Sequence, residues 1–568
     1  MSRKYFVVCA LVIAIAASSI AIQGQDGKTI VTAAVKAMGA ENLKTLQFSG
    51  AGSNAGIGQN ANPNMAWPIV RVKSYTRQID FDAAASNTQI VRIQNNVEQP
   101  QSQVITSNTP WAQQFDFWVS PYAFLKGAMA NNVTSRSETV YGVKYNVVSF
   151  VLQNKYKVEG YLNDRNLVER VRTWIDNDVM GDMLVESVYT DYKDFSGLKV
   201  PTFMIVKQGG FPTLILELTG AKPNVPVTIP AAPAAQAAAP AVAVQTEKIA
   251  DGVYYLKGGT HHSVLVEFAD HVALIEGPQN EQRSIALLDE VKKLYPNKPL
   301  RYLVNTHHHF DHSGGLRTFV DAGVTIVTQE VNRPFYEKTF AAARTLNPDK
   351  LEGSKKKAVI ETAGDKKVMS DATRTLELHL IKNNAHNDGI LMAFLPKEKV
   401  LVEVDMYTPP APGASAPAPN APVNPNAAAL LDNLEKLRLD FDTILPLHGP
   451  GKVTRADLYA FVRKPLVPIS SLPDPNAAPA GGRGGGGRGG RGGAVAPEIA
   501  VSPADLPLQQ LLQTTCSACH NLDRVNNKKA DKDEWTATVT RMIEHGAKLA
   551  PPDVPSLIDF LARTRGVQ

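Results

Sequence analysis

The sequence predicts a multidomain chain in which a β-rich N-terminal part precedes a layered α/β domain and a small helical C-terminal part. Its 568 residues are too many for a single domain. A Pro/Ala stretch at 227–245 and a Pro/Gly/Arg stretch at 470–500 have the composition of linkers. The hydrophobic pattern changes at the first linker from strict alternation to strands that alternate with helices.

The first residues have the layout of a secretory signal. Arg3 and Lys4 precede an apolar run that ends in small residues, which predicts a signal peptide over 1–24 with cleavage near Ala21. An uncleaved membrane anchor is the alternative, although the run is short for a membrane span. We therefore expect a periplasmic or secreted protein.

Residues 25–226 are predicted to be mostly strand. "KYKVEGYL" and "TLILELTG" alternate apolar and polar residues, and one helix is expected at "KTIVTAAVKAM". The run "YTDYKDFSGLKVPTFMIVKQGG" resembles the half-barrel domains of outer-membrane lipoprotein carriers. That resemblance implies a lipid or membrane-associated ligand, and a general β-rich accessory domain is the alternative.

Residues 246–469 contain the strongest chemical signal. In "VNTHHHFDHSGG" an apolar strand leads into a loop with His307, His309, Asp311 and His312 at the spacing of metal ligands. Imidazole and carboxylate ligands suit zinc, and also iron or manganese. His308 is interpreted as a loop residue rather than a ligand.

The pattern His-x-His-x-Asp-His resembles the signature of the metallo-β-lactamase superfamily, which implies a four-layered αββα fold. His386, Asp405 and His448 follow in the order of the family's later ligands, each beside an apolar strand. The resemblance implies one ion held by His307, His309 and His386. It implies a second ion held by Asp311, His312 and His448, with Asp405 between the two, where some lactamases have cysteine or serine.

The resemblance further implies hydrolysis of a small-molecule substrate by a hydroxide bound to two zinc (or iron or manganese) ions, with Asp311 as the catalytic residue. An ester, thioester, lactone or amide-like bond is expected to be cleaved. "DMYTPPAP" lacks the basic residue of the cysteine-type lactamases. Only about twenty residues of possible helix follow His448 before the linker, where the glutathione-thioester hydrolases add a helical domain. His261 and His262 are predicted substrate contacts, and the Pro/Ala stretch 409–429 is either a flap or a surface loop.

"TTCSACHNLD" contains the motif C-x-x-C-H, which is typical of covalent c-type haem attachment. Cys516 and Cys519 would form the thioethers, and His520 would be the proximal iron ligand. A zinc or redox C-x-x-C is the alternative. Residues 501–568 resemble small c-type cytochrome domains, and Met542 is preferred over His545 as the other axial ligand.

The whole-chain prediction is an exported dinuclear metallohydrolase with a tethered haem that exchanges electrons with a periplasmic redox partner. A net charge of +5 on this length does not indicate a nucleic-acid partner. Two alternatives stay open. One is an iron-dependent redox enzyme of the same fold that the haem supplies with electrons, and the other is an electron-transfer or lipid-binding protein with an inactive hydrolase domain.

Overall fold

The computed structural model describes most of the chain and divides it into two compact units. The N-terminal unit comprises Met1–Ala55, Val70–Asp176 and Asp182–Ala237, and the C-terminal unit comprises Gly56–Ile69, Asn177–Gly181 and Ala238–Gln568. The described residues are 26–94, 96–140, 142–231, 242–411, 413, 421–472, 505, 508, 511–512, 515, 525, 528–544, 547, 549 and 553–565. The predicted signal peptide therefore lies outside the described residues.

The N-terminal unit is built on one eleven-stranded sheet. Its strands are β1 (Thr45–Ala55), β2 (Ile69–Asp80), β3 (Ala85–Gln94), β4 (Val97–Ile105), β5 (Thr134–Val140), β6 (Val143–Leu152), β7 (Tyr156–Leu162), β8 (Val168–Asn177), β9 (Gly181–Phe195), β10 (Leu198–Gln208) and β11 (Phe211–Pro223). Their order is β4-β3-β2-β1-β11-β10-β9-β8-β7-β6-β5. The first and last strands of the unit pair with each other antiparallel, as β10 and β11 also do. The predicted β-rich N-terminal part is confirmed, whereas the likeness to lipoprotein carriers stays a prediction.

Three helices accompany this sheet. They are α1 (Gly27–Ala37), α2 (Trp111–Trp118) and α3 (Pro121–Ala130). Helix α1 was expected, and Asp26 caps it by accepting a hydrogen bond from the Lys28 backbone N–H. Helices α2 and α3 were not predicted. Their aromatic residues enter the core, where Phe117 and Phe124 are at most 2% exposed, so burial of apolar surface stabilises both short helices.

The C-terminal unit contains two further sheets. The first has seven strands in sequence order: β12 (Gln245–Ala250), β13 (Val253–Lys257), β14 (Ser263–Glu267), β15 (Val272–Ile275), β16 (Leu300–Val304), β17 (Thr325–Gln329) and β18 (Ile360–Ala363). The second has six: β19 (Lys366–Ser370), β20 (Thr375–Leu380), β21 (Leu391–Leu395), β22 (Val400–Glu403), β23 (Thr443–Pro446) and β24 (Val453–Thr454). Strands β15 to β18 pair parallel, as do β22 and β23.

Helices occupy the connections between these strands. They are α4 (Glu281–Leu294), α5 (Phe310–Ser313), α6 (Leu316–Asp321), α7 (Arg333–Ala341), α8 (Lys350–Ser354), α9 (Pro425–Leu437) and α10 (Arg455–Phe461), with 3₁₀ turns at Glu330–Asn332 and Ile469–Ser471. Helix α9 starts inside the Pro/Ala stretch 409–429, because Pro425 takes the first helical turn and Asn424 caps the free N–H groups. The end of that stretch is therefore helical, and its residues 412 and 414–420 lie outside the described residues.

Two apolar layers hold this unit together. One joins the facing surfaces of the two sheets and includes Val264 and Val266 from β14 with Leu378 from β20. The other lies between the first sheet and its helices and includes Leu287 from α4 and Phe319 from α6. Helices thus cover sheets that pack face to face, which confirms the predicted αββα arrangement.

The described C-terminal residues include helices α11 (Lys532–Glu544) and α12 (Asp553–Thr564). Trp535, only 1% exposed, packs in a small apolar cluster with Leu557 and Phe560. No helix among the residues that the structure describes is long and apolar enough to span a bilayer.

Candidate metal centre

The predicted ligands meet beside the ends of strands in the C-terminal unit. Strand β16 ends at Val304, and the chain then turns so that His309 lies directly before α5. The buried Asn305 side chain fixes this turn because its Nδ2 donates to Glu276 Oε1 (3.1 Å) and to the His312 carbonyl (3.2 Å). The apolar strand before the motif and the polar contacts within it therefore place the four motif side chains on one loop.

Four side chains form the first group, with ligand atoms all within 4.8 Å of one another: His307, His309, His386 and Asp405. His386 and Asp405 come from loops of the second sheet, after β20 and β22. The Asn384 side chain holds its loop by accepting from the His386 and Asn387 backbone N–H groups. The ligands predicted for the first ion thus lie together.

The second group also has four members: His261, Asp311, His312 and His448. His448 follows β23, and its backbone pairs antiparallel with that of His261, which precedes β14. The imidazole rings of these two residues lie 4.0 Å apart between centroids. The structure therefore places His261 beside the three ligands predicted for the second ion.

Asp405 lies between the two groups. Its Oδ2 is 3.2 Å from His307 Nε2, 3.1 Å from His386 Nε2 and 3.2 Å from His312 Nε2. Its Oδ1 is 3.0 Å from His448 Nε2. The residue has a left-handed backbone (φ 57°), which a short polar side chain tolerates and which turns its carboxylate towards the histidines.

Several imidazoles are oriented so that one nitrogen is left for a metal. His307 Nδ1 contacts Thr306 Oγ1 (3.1 Å), and His312 Nδ1 lies 3.3 Å from Glu276 Oε2. His448 Nδ1 donates to the Thr260 carbonyl at 3.0 Å. Such contacts on the outer nitrogen fix the tautomer of metal-binding histidines.

Buried atoms without partners test whether these residues fit a cation. Within the described residues, His309 Nδ1 is buried and makes no hydrogen bond, and His307 Nε2 lies 3.2 Å from Asp405 Oδ2 without the geometry of a hydrogen bond. An unsatisfied buried imidazole nitrogen costs free energy unless a ligand takes it up. Both atoms belong to the first group, and the imidazole and carboxylate donors are those that zinc prefers. The donor set therefore fits divalent metal ions.

The pKa values agree with this interpretation. Burial and the neighbouring imidazoles lower the pKa of His307 well below its usual value and that of His309 to about 4, so both are neutral at pH 7. Burial would lower the pKa of His312 too, but the carboxylates of Asp405 and Glu276 raise it. Burial alone would raise the pKa of Asp405, but His312 and its other imidazole neighbours hold it well below the ordinary range. These carboxylates therefore favour positive charge at the centre, which divalent cations would supply.

Residues from far away in the sequence complete the surroundings. Gln59 Nε2 donates to Asp311 Oδ1 at 2.8 Å, and His309 Nε2 donates to the Asn60 carbonyl at 3.1 Å. His308 is fully buried, and it donates from Nε2 to Asn60 Oδ1 (3.1 Å) while its Nδ1 accepts from Asn387. Gln59 and Asn60 could not be predicted from the sequence, because they lie about 250 positions before the motif and in no recognisable pattern.

Of the remaining predicted site residues, the structure describes His262 and Met542. Both ring nitrogens of His262 contact backbone atoms: Nδ1 accepts from the Gly258 N–H (3.2 Å) and Nε2 donates to the Gly449 carbonyl (2.8 Å). Met542 lies half-buried on α11. The other haem residues, Cys516, Cys519 and His520, lie outside the described residues, as does His545.

Comparison with known proteins identifies the domain that carries this centre. A family model described as the metallo-beta-lactamase superfamily matches residues 256–448. None of the curated proteins compared matches the chain.

Solved structures with similarity to the chain include three metallo-beta-lactamases. The enzyme from Pontibacter korlensis is 17% identical with a TM-score of 0.30, and the match covers 40% of this chain and 100% of that one. The Hirschia baltica enzyme is 19% identical with a TM-score of 0.29, covering 39% and 99%. FIM-1 from Pseudomonas aeruginosa, in its mono-zinc form, is 16% identical with a TM-score of 0.30, covering 40% and 96%.

The family model spans strands of both sheets and starts before His261, and its last matched position is His448. Residues 256–448 of this chain are therefore a metallo-beta-lactamase superfamily domain.

Proposed function

We propose that the chain is an exported dinuclear metallohydrolase that cleaves an ester, thioester, lactone or amide-like bond in a small molecule. The observation that supports this most directly is Asp405, whose two carboxylate oxygens face histidines of both groups at 3.0–3.2 Å. A carboxylate between two sets of imidazoles is suited to two cations a few ångströms apart. Two such cations would make a bound water acidic near neutral pH and would polarise the oxygen of the bond under attack.

Asp311 has the role of orienting the nucleophile in this proposal. Its Oδ1 is held by Gln59 Nε2 (2.8 Å), and its Oδ2 faces His261 Nε2 (3.3 Å). Burial would raise the pKa of Asp311, but hydrogen bonding to His261 and the charge of His312 lower it well below the ordinary range. The carboxylate is therefore ionised at neutral pH and can accept a hydrogen bond from the attacking water.

The expected metal content is about two divalent ions per chain, because the two groups provide donors for two ions. Elemental analysis on the full-length protein, beside a haem assay, measures it, and a panel of esters, thioesters and lactones measures hydrolysis. A chelator should abolish hydrolysis, and added zinc should restore it. Iron well above the haem content, with no hydrolysis, would contradict the hydrolase and support the iron-dependent redox enzyme.

The proposal includes a c-type haem on Cys516 and Cys519, with His520 and Met542 as axial ligands. Its support is the C-x-x-C-H motif in a chain whose other cysteine, Cys9, lies in the predicted signal peptide. Export to the periplasm or medium and electron exchange with a periplasmic redox partner belong to the same proposal. The haem would be tethered to the hydrolase through the stretch 470–500.

Denaturing electrophoresis with haem staining tests the haem attachment. Protein matured in a host that assembles c-type cytochromes should retain haem on the denatured chain. Replacing both Cys516 and Cys519 with alanine should remove that stain and leave the content of non-haem metal unchanged. Haem staining that survives the double substitution would contradict thioether attachment at these positions.

A further inference from the structure

His261 differs from the other three members of the second group because the family signature does not require it. It lies between β13 and β14, some 45 residues before the motif, and it is 8% exposed. The sequence predicts a substrate contact for it. Its surroundings in the structure indicate a different role, which rests on the proposed dinuclear function.

Three imidazole nitrogens converge on one carboxylate oxygen. Asp311 Oδ2 lies 3.3 Å from His261 Nε2, 3.6 Å from His312 Nε2 and 4.0 Å from His448 Nε2. The Nε2 atoms of His312 and His448 are 3.0 Å apart. A tetrahedral zinc ion with bonds of about 2.0–2.1 Å separates its ligand atoms by about 3.3 Å. These four distances lie on both sides of that value, and all the ligand atoms lie within 4.8 Å of one another, so one metal ion could contact all four.

The orientation of the His261 ring agrees with this spacing. Its Nδ1 is hydrogen-bonded to Thr260 Oγ1 at 2.7 Å and lies 3.4 Å from Gln279 Nε2, so Nε2 is the nitrogen that faces Asp311. The backbone bridge to His448 fixes the distance between these two histidines. The Thr260 carbonyl also accepts from His448 Nδ1. Thr260 thus holds both imidazoles with their Nε2 atoms directed to the same point.

We propose that His261 is a protein ligand of the second metal ion, together with Asp311, His312 and His448. With Asp405 shared between the two ions, the second ion then has four further protein donors, and the first ion has three, which are His307, His309 and His386.

Metal titration of the chelator-treated, full-length protein tests this proposal. With Zn²⁺ and a competing chromogenic chelator, the unchanged chain should bind about two ions. His261→Ala should retain one ion and bind the second at least about 100-fold more weakly, which exceeds the 10–100-fold loss typical of residues that only orient a ligand. The visible spectrum of the Co²⁺-loaded protein should change as well, because it reports the donors of the ion.

His271→Ala is the matched control. His271 is in the same unit and is also 8% exposed, but it contacts Asp270 and stacks on Phe268 and belongs to neither metal group. The His271→Ala variant should bind two ions with unchanged affinity. His261→Gln, which keeps more of the side-chain volume, replaces His261→Ala if the alanine variant does not fold as judged by circular dichroism.

The outcomes separate the two proposals. If the unchanged chain binds fewer than two ions, the dinuclear function itself is wrong. If the unchanged chain and His261→Gln both bind two ions with the same affinity, only the ligand role of His261 is wrong. An increase in KM at unchanged metal affinity would then favour the substrate contact that the sequence predicts.

Discussion

Replacing Asp405 with alanine is expected to abolish hydrolysis and to lower the metal content from about two ions per chain to one or fewer. Asp405 Oδ2 lies within 3.2 Å of nitrogens in both groups, and Oδ1 lies 3.0 Å from His448 Nε2. Its removal leaves the imidazoles without the carboxylate that lies between them. Metal ions contribute several kcal/mol to hydrolysis, so we expect a rate loss on the order of 10³-fold or more.

Asp405→Asn separates charge from backbone conformation in this experiment. Asparagine tolerates the left-handed φ of 57° at this position, whereas alanine adds backbone strain. Asp432→Ala is a suitable control, because that carboxylate is 47% exposed and pairs with Lys436 on the surface of α9. Two bound ions and full hydrolysis in Asp405→Asn would show that this carboxylate does not link the groups.

The local part of the site could be predicted from the sequence. Four ligand candidates fall within six positions after an apolar strand, so the backbone alone brings His307, His309, Asp311 and His312 together. His386, Asp405 and His448 could be anticipated from the family resemblance, because each lies beside an apolar strand in the order of the family's later ligands. Strands β22 and β23 pair parallel and present their ends at one edge of the sheet, which brings Asp405 and His448 together.

Contacts that depend on tertiary packing could not be predicted. Glu276 and Gln59 each hold a motif residue, but neither has a local pattern that distinguishes it from an ordinary loop or strand-end residue. The position of His261 depends on its backbone bridge to His448, which is 187 residues away. Similarly, α2 and α3 interrupt a segment expected to be strand because their aromatic side chains fill the core of the N-terminal unit.

Replacing Gly314 with alanine is expected to destabilise the C-terminal unit by about 3 kcal/mol, at the upper end of the cost of overpacking. A Cβ at this position would lie 1.9 Å from the Gln279 carbonyl oxygen. Gly314 has an ordinary helical backbone (φ −63°), so the cost is steric rather than conformational. The Gln279 backbone cannot move away freely, because its N–H donates to the Asp311 carbonyl at 2.8 Å.

Thermal unfolding of the chelator-treated protein, followed by circular dichroism, measures this loss of stability. The relevant unfolding transition is the one whose midpoint shifts when zinc is added. A loss of 3 kcal/mol corresponds to a fall of about 6–12 °C if about 150–250 residues unfold together, which is the size of the predicted domain 246–469. Gly353→Ala is the matched control: no atom lies within 4 Å of its Cβ position, and alanine is favoured over glycine in α8 by about 1 kcal/mol. Gly353→Ala should therefore melt at the same temperature or slightly higher. Equal melting temperatures for the two variants would mean that the loop of Gln279 does not pack against the metal-binding loop, and the second group would then lack the support that keeps Asp311 in place.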